Sequence, residues 1–260
     1  MTKTGIWLLS VILLAVTCGG LIWAEDIRFG VAIEPYPPFE QKDASGKWIG
    51  FEIDLMNAIC AEIKAKCELV EAPWKAIIPA LEAGQFDVVW SSMSITEARA
   101  KVIDFTDSYY FLPSVIIGRK SDRVAIDFSN PESVKGKIIG ANTNTNQLAF
   151  LEKYFTSTAT IQPYTHIFEL CNALLDGKVD LVMQNALDAS SCLESDKGKE
   201  MEIKAEAPRD PTLGSGVGAA LRKRDTKLRE ELNAAIKVLR ADGTYQRLAR
   251  KYFTFDPYGK

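Results

Sequence analysis

The sequence predicts an α/β protein folded as two lobes around a shared cleft. Three observations predict it. A helix–glycine–strand unit occurs twice, strand-like runs alternate with helix-like runs, and the C-terminal segment has no counterpart in the middle of the chain. In the echo, Ala80–Ser92 matches Ala173–Asn185 at a constant offset of 93 (173 minus 80), with Ala80/Ala173, Leu81/Leu174, Gly84/Gly177, Asp87/Asp180 and Val89/Val182 identical. Each copy reads as the end of an apolar-striped helix, a glycine stop, an aspartate and a buried strand.

Taken in order, the chain opens with Lys3, the apolar run Ile6–Val16 and a small residue at Ala24. This is the pattern of a secretory signal peptide cleaved after Ala24. An uncleaved membrane anchor and lipid attachment at Cys18 are the alternatives. Export implies an oxidising compartment, in which cysteines are counted as pairs. Ile27–Ala32 reads as a strand that runs into Glu34–Phe39, and Leu55, Met56, Ile59, Cys60 and Ile63 form a helical stripe. Cys60 and Cys67 would lie about 10 Å apart inside one straight helix, too far to bridge. A Cys60–Cys67 disulfide therefore requires the helix to stop first, which suits the strand-like Cys67–Glu71. Cys171 and Cys192 are then left as a second pair, or as two buried thiols.

The first echo unit follows, ending in Ser91–Arg99. Lys137–Ala141 is another strand, running into Asn142–Gln147, and Ile167, Leu170, Cys171 and Leu174 stripe the helix of the second unit. Strands alternating with helices indicate parallel sheets, whose ligands bind beyond the carboxyl ends of the strands. Those ends are Glu34–Phe39, Ser91–Arg99, Asn142–Gln147 and Gln184–Asn185. The tail reads as a strand at Ser215–Leu221, a helix striped by Leu228, Leu232, Ala235, Ile236 and Leu239, and a last helix over Thr244–Tyr252. With no copy of it near residue 130, the tail belongs to the first lobe. The organisation expected is residues 1–24 signal peptide, 25–112 lobe one, 113–212 lobe two and 213–260 a return to lobe one, with two crossings forming a hinge.

The 260 residues carry a net charge of -3 and are 47% hydrophobic, which suits a globular protein and supplies no basic face for nucleic acid. His166 is the single histidine, so histidine-based catalysis and a histidine-rich metal site are hard to build. The cysteine spacings match no zinc motif. No cofactor and no metal are expected.

Glu34–Phe39, Gly50–Leu55, Ser91–Arg99, Asp104–Tyr110 and Asp242–Tyr245 together resemble the family 3 periplasmic solute-binding proteins, above all the lysine/arginine/ornithine-, histidine- and opine-binding members. The resemblance covers essentially all of the chain after residue 24, and the cysteine pair seven apart is similar to that of the lysine/arginine/ornithine type. It implies the two-lobed periplasmic-binding-protein fold (type II). It also implies a periplasmic, monomeric receptor that closes on a small solute, an amino acid or an opine-like derivative. That receptor delivers its solute to an ABC transporter permease in the inner membrane.

Within that frame, Arg99 is the leading ligand-binding candidate, because a guanidinium grips a planar carboxylate with two parallel hydrogen bonds. Ser91, Ser92, Ser94 and Thr96 surround it. Asn142, Thr145, Asn146 and Gln147 occupy the corresponding loop of lobe two, at a helix start suited to anions. The resemblance implies that Tyr36 and Trp74 form aromatic walls, and that Glu34 and Glu52 meet a positive group of the ligand. Trp90, ending a buried strand, is expected in the core. Asn185 departs from the family, whose amino-acid binders usually carry an aspartate there to pair with the ligand ammonium. The opine-binding members resemble this chain in having asparagine. Asn185→Asp is accordingly expected to tighten binding of plain arginine or lysine, unless another acid such as Asp188 substitutes. An enzyme of dehydratase type on the same scaffold is the competing class, since carboxylates alone can serve as acid and base. A sensory module is the third.

Overall fold

A computed structural model describes residues 26–253 and 256–258. The expected signal segment, 1–24, and Cys18 lie outside the described residues. Two five-stranded sheets organise the chain. The first begins with β1 (Ile27–Ala32), which is buried at every residue but Arg28, as suits a central strand. A small ribbon of β2 (Gln41–Lys42) and β3 (Trp48–Ile49) leads to α1 (Phe51–Glu62). That helix buries Leu55, Met56, Ile59 and Cys60 against the sheet, as its stripe requires. It ends before β4 (Cys67–Ala72), and Cys60 and Cys67 are disulfide-bonded across the turn between them. After α2 (Ile77–Glu82) come β5 (Val88–Val89), the short α3 (Glu97–Ala100) and β6 (Asp104–Phe105).

The chain then enters the second sheet with β7 (Ser114–Arg119). It continues through β8 (Ile138–Asn142), α4 (Asn146–Phe155), β9 (Thr160–Tyr164), α5 (Ile167–Leu175), β10 (Leu181–Asn185), α6 (Ala186–Glu194) and β11 (Met201–Glu206). Cys171 on α5 is bonded to Cys192 on α6. The return to the first sheet is made by β12 (Ala220–Leu221), followed by α7 (Thr226–Ala241) and α8 (Thr244–Ala249), which pack on α1. The crossings therefore fall between Phe105 and Ser114 and between Glu206 and Ala220.

Neither sheet is purely parallel, which corrects the expectation drawn from strand–helix alternation. The orders are β4-β1-β5-β12-β6 and β11-β7-β10-β8-β9. In each, three consecutive strands run parallel (β4, β1, β5 and β9, β8, β10), and the strands beyond pair antiparallel. The antiparallel strands are those beside the crossings, where the chain passes directly from one lobe to the other with no covering helix to reverse it. The expected strand Ser215–Leu221 pairs as a ladder only at Ala220–Leu221. Val217 instead makes isolated bridges to Ser94 and Tyr110. The last helix stops at Ala249, earlier than expected.

The echo has a mechanical meaning. Gly84 (φ +75) and Gly177 (φ +70) close the two helices in the left-handed region that glycine enters without a Cβ penalty. Asp87 then donates its backbone N–H to the Arg28 carbonyl, and its carboxylate accepts from the Arg28 backbone N–H at 3.1 Å. Asp180 does the same with Ile138: its N–H donates to the Ile138 carbonyl and its carboxylate accepts from the Ile138 N–H at 2.9 Å. Arginines on or directly after neighbouring strands, Arg28 and Arg222 in one lobe and Arg119 in the other, pair with these carboxylates. The repeated aspartate thus pins the start of one parallel strand to the next.

Candidate functional site

The carboxyl ends of the parallel strands in both lobes open onto one cavity of about 680 Å³. Lobe one supplies Glu34, Tyr36, Glu40, Trp74 and the Ser91–Ser94 turn with Arg99, and lobe two supplies Asn142–Gln147, Gln184, Asn185 and Asp188.

Arg99 is set by a tight local design. Thr96 caps α3, its hydroxyl accepting from the Arg99 N–H at 3.3 Å. The guanidinium donates to the Ser94 carbonyl at 2.8 Å and, across the cleft, to the Asn144 carbonyl at 3.1 Å. It lies 5.6 Å from the Trp74 ring centre, a cation–π arrangement. Among the described residues no carboxylate pairs with it. Burial alone brings its pKa down to about 10. A desolvated cation with carbonyl partners and no counter-charge is a standing site for an anion.

The aromatic walls are both present. Tyr36 stacks on Phe39 at 5.0 Å, and Phe39 stacks on Tyr110 at 5.0 Å, so a column of rings backs one side. Trp74 follows Pro73 into a 3₁₀ turn, and its N–H donates to Glu34 Oε2 at 3.0 Å, which holds Glu34 at the cavity edge. Trp90 lies fully in the core, stacked on Tyr109 at 4.7 Å.

Glu52 requires a correction. It does not line the cavity. It is fully buried behind the Ser91–Ser92 turn, and its carboxylate accepts from the Tyr109 hydroxyl (2.9 and 3.0 Å), the Tyr110 hydroxyl (3.1 Å), and the Ser92 N–H (3.0 Å) and hydroxyl (3.1 Å). With its oxygens occupied, it shapes the turn and leaves nothing for a solute. The acid that reaches the cavity from this side is Glu40, which sequence reasoning missed. Glu40 accepts from Ser91 Oγ at 2.6 Å and Ser92 Oγ at 3.3 Å. Its one sequence signal is position: it directly follows Phe39 at the end of the first strand–loop motif. Ser91 is likewise committed, since its hydroxyl also accepts from the Ala32 N–H.

In lobe two, the Thr145 hydroxyl caps α4 by accepting from the Leu148 N–H and donates to the Asn142 carbonyl at 2.7 Å. Asn142 donates to the Thr165 carbonyl at 3.5 Å, Gln147 donates to Ser114 Oγ at 3.1 Å, and Asn146 donates to the Leu213 carbonyl in the return crossing. Gln184 stands out in the sequence only as part of a strand end and not as a binding residue. Its buried side-chain nitrogen has no hydrogen-bond partner among the described residues, although the residue lines the cavity. A buried donor without an acceptor is costly unless something fills the role.

Across the cleft, Asn185 donates to the Tyr36 hydroxyl at 2.6 Å, and that hydroxyl donates to Asp188 Oδ2 at 3.3 Å. Burial pushes the Asp188 carboxyl up to about 7. Burial and their mutual repulsion raise Glu40, and burial raises Glu52. A carboxyl whose folded-state pKa is raised adds stability only while protonated. Its contribution is complete below the unfolded-state value near 4 and is lost as pH climbs through the folded-state value. The carboxyls with depressed pKa, such as Asp87 and Asp210, change stability only below that window. The empty protein is therefore expected to melt about 3–6 °C lower at pH 8 than at pH 5. Glu40→Gln should flatten that slope in calorimetric melts, and an unchanged slope would refute the assignment.

Two α/β lobes joined by two crossings, with a desolvated cation and polar groups facing each other across a cleft, define a solute-binding protein. The chain belongs to the bacterial extracellular solute-binding proteins, family 3, whose profile matches residues 27–255. It is 38% identical over 239 residues to the histidine-binding periplasmic protein of Escherichia coli (strain K12), covering 90% of each chain. It is 34% identical over 238 residues to the lysine/arginine/ornithine-binding periplasmic protein of the same strain, again covering 90% of each. Among solved structures it is similar to an ancestral arginine-binding protein bound to arginine, with a TM-score of 0.77, 30% identity, and coverage of 89% of this chain and 99% of that one.

Proposed function

We propose that this chain is the periplasmic receptor of an ABC importer, and that it binds an α-amino acid with a polar or cationic side chain by closing its lobes. The observation that carries the reading is Arg99: a half-buried guanidinium in the interlobe cavity with an aromatic face beside it and no carboxylate partner among the described residues. The α-carboxylate docks there, first on lobe one and then against the α4 start of lobe two. Glu34, whose Oε1 is unbonded among the described residues, faces the opposite charge of the side chain, with Trp74 and Tyr36 as its walls. Contacts such as Arg99 to Asn144 and Asn185 to Tyr36 exist only when the lobes meet, so they select the closed state.

The relatives' printed functions support an amino-acid solute, and the expected signal segment supports export to the periplasm. The lobes are taken as 25–112 with 213–260, and 113–212. The receptor acts as a monomer and hands its solute to a permease in the inner membrane. No cofactor enters this scheme.

A thermal-shift screen against the amino acids and a set of N-substituted, opine-like derivatives tests it. At a hundredfold excess over Kd a true solute stabilises by about 2.7 kcal/mol, a rise of about 5–10 °C. A cationic or polar amino acid is expected to give that rise, and no response across the panel would reject the reading. The competing dehydratase reading uses the same cavity carboxylates. Mass spectrometry separates the two, because a receptor returns its solute unchanged.

A further inference from the structure

We infer that Asp188, not Asn185, supplies the negative charge for the α-nitrogen of the bound amino acid. The inference rests on the amino-acid reading above. It starts from how Asn185 is used. Its Oδ1 accepts from the backbone N–H groups of Leu187 and Asp188, both at 3.0 Å, which is the N-cap of α6. Its Nδ2 donates to the Tyr36 hydroxyl and to Asp188 Oδ2. The acceptor is consumed by the helix, and the group left toward the cleft is a donor. A donor repels the N–H groups of an ammonium.

Asp188 stands in the first turn of α6, carried to the cavity by the same cap. Its Oδ2 is held by Asn185 and Tyr36, while Oδ1 is bonded to nothing among the described residues. Three carboxylates line the cavity: Glu34, Glu40 and Asp188. Glu40 has both oxygens on serine hydroxyls, while Glu34, with Oε2 on the Trp74 backbone N–H, stands on lobe one among the aromatic walls. Asp188 is the one contributed by lobe two. Arg99 from one lobe and Asp188 from the other are therefore placed to meet the two ends of an amino acid on closure, the carboxylate on the guanidinium and the ammonium on Asp188, whose carboxyl the ammonium's positive charge holds ionised. The same placement changes the expectation for Asn185→Asp. A new carboxylate there would lie against Asp188 and meet like-charge repulsion, so no gain in arginine affinity follows.

The test compares L-arginine with 5-guanidinopentanoate, the same molecule without the amine, by calorimetry on the wild-type chain and on Asp188→Asn. Loss of a hydrogen bond to a charged group is expected to weaken L-arginine about 10- to 150-fold. The amine-free analogue should change by less than about threefold, since it has no group to meet Asp188. Asp188→Ala should show the same split, so that misfolding of one variant leaves the other to decide. Equal weakening of both compounds assigns Asp188 a merely structural role in the helix cap and overturns the inference, as does unchanged L-arginine affinity. A wild-type chain that binds neither compound, while properly folded by its melt, sinks the cationic amino-acid reading and this inference with it.

Discussion

Arg99→Ala is expected to weaken amino-acid binding by at least about 30-fold while leaving the fold intact. The guanidinium sits in a desolvated cleft, where truncating one partner of a buried, hydrogen-bonded charge pair costs about 2–5 kcal/mol. The empty protein loses only two carbonyl contacts and the stacking on Trp74. It is also relieved of a cation whose burial already depresses its pKa. Its melting midpoint should move by no more than about 2–4 °C, the equivalent of about 1 kcal/mol. Arg99→Lys keeps the charge and loses the planar fork, so it should fall between the two. Calorimetric titration that finds wild-type affinity in Arg99→Ala would remove the anchor from the proposed receptor.

The second large effect is on stability. Gly50→Ala is expected to cost about 3 kcal/mol or more, lowering the melting midpoint by about 6–12 °C. Gly50 precedes α1 with φ 128 and ψ 175, a conformation that L side chains rarely adopt. An added Cβ would sit 2.1 Å from the Phe39 carbonyl oxygen and 2.9 Å from that of Pro38. Those two carbonyls accept from the backbone N–H groups of Glu52 and Phe51, so they close the first turn of α1. The clash cannot be relieved without lifting the Tyr36–Glu40 turn off the helix. Solute binding should therefore weaken together with stability, because Tyr36 and Glu40 ride on that turn. A variant that melts like the wild type would show that the turn does not rest on the helix as described.

Much of this site was legible because its residues stand at ends of strong local patterns. The echo located the strand ends, and the strand ends located Tyr36, the Ser91–Arg99 turn, Asn142–Gln147 and Asn185. What the patterns could not show was which of two neighbouring acids faces the cleft. Glu40 and Glu52 each follow a phenylalanine in a short motif. The choice is made by partners far along the chain: Tyr109 and Tyr110, 57 and 58 residues from Glu52, turn it inward. Periodicity over a dozen residues carries no such information. The antiparallel strands escaped for a different reason. With two residues each, β6 and β12 are too short to show alternation, and their pairing is a property of the crossings. Asn185 was noticed for its lack of charge, but that its oxygen caps α6 follows from backbone geometry.

The order of strands in the first sheet bears on how the chain is made. Among the described residues β6 has no neighbour except β12, and β12 is wedged between β5 and β6 although it lies more than a hundred residues later. The second sheet is drawn from one uninterrupted stretch, Ser114–Glu206. During synthesis, then, the later-encoded half holds all its strands before the earlier-encoded half can complete its own, reversing the usual N-terminal-first sequence of maturation. Until Ala220 and Leu221 are in place, nothing joins β5 to β6, so the half of the protein that is encoded first is the half that closes last.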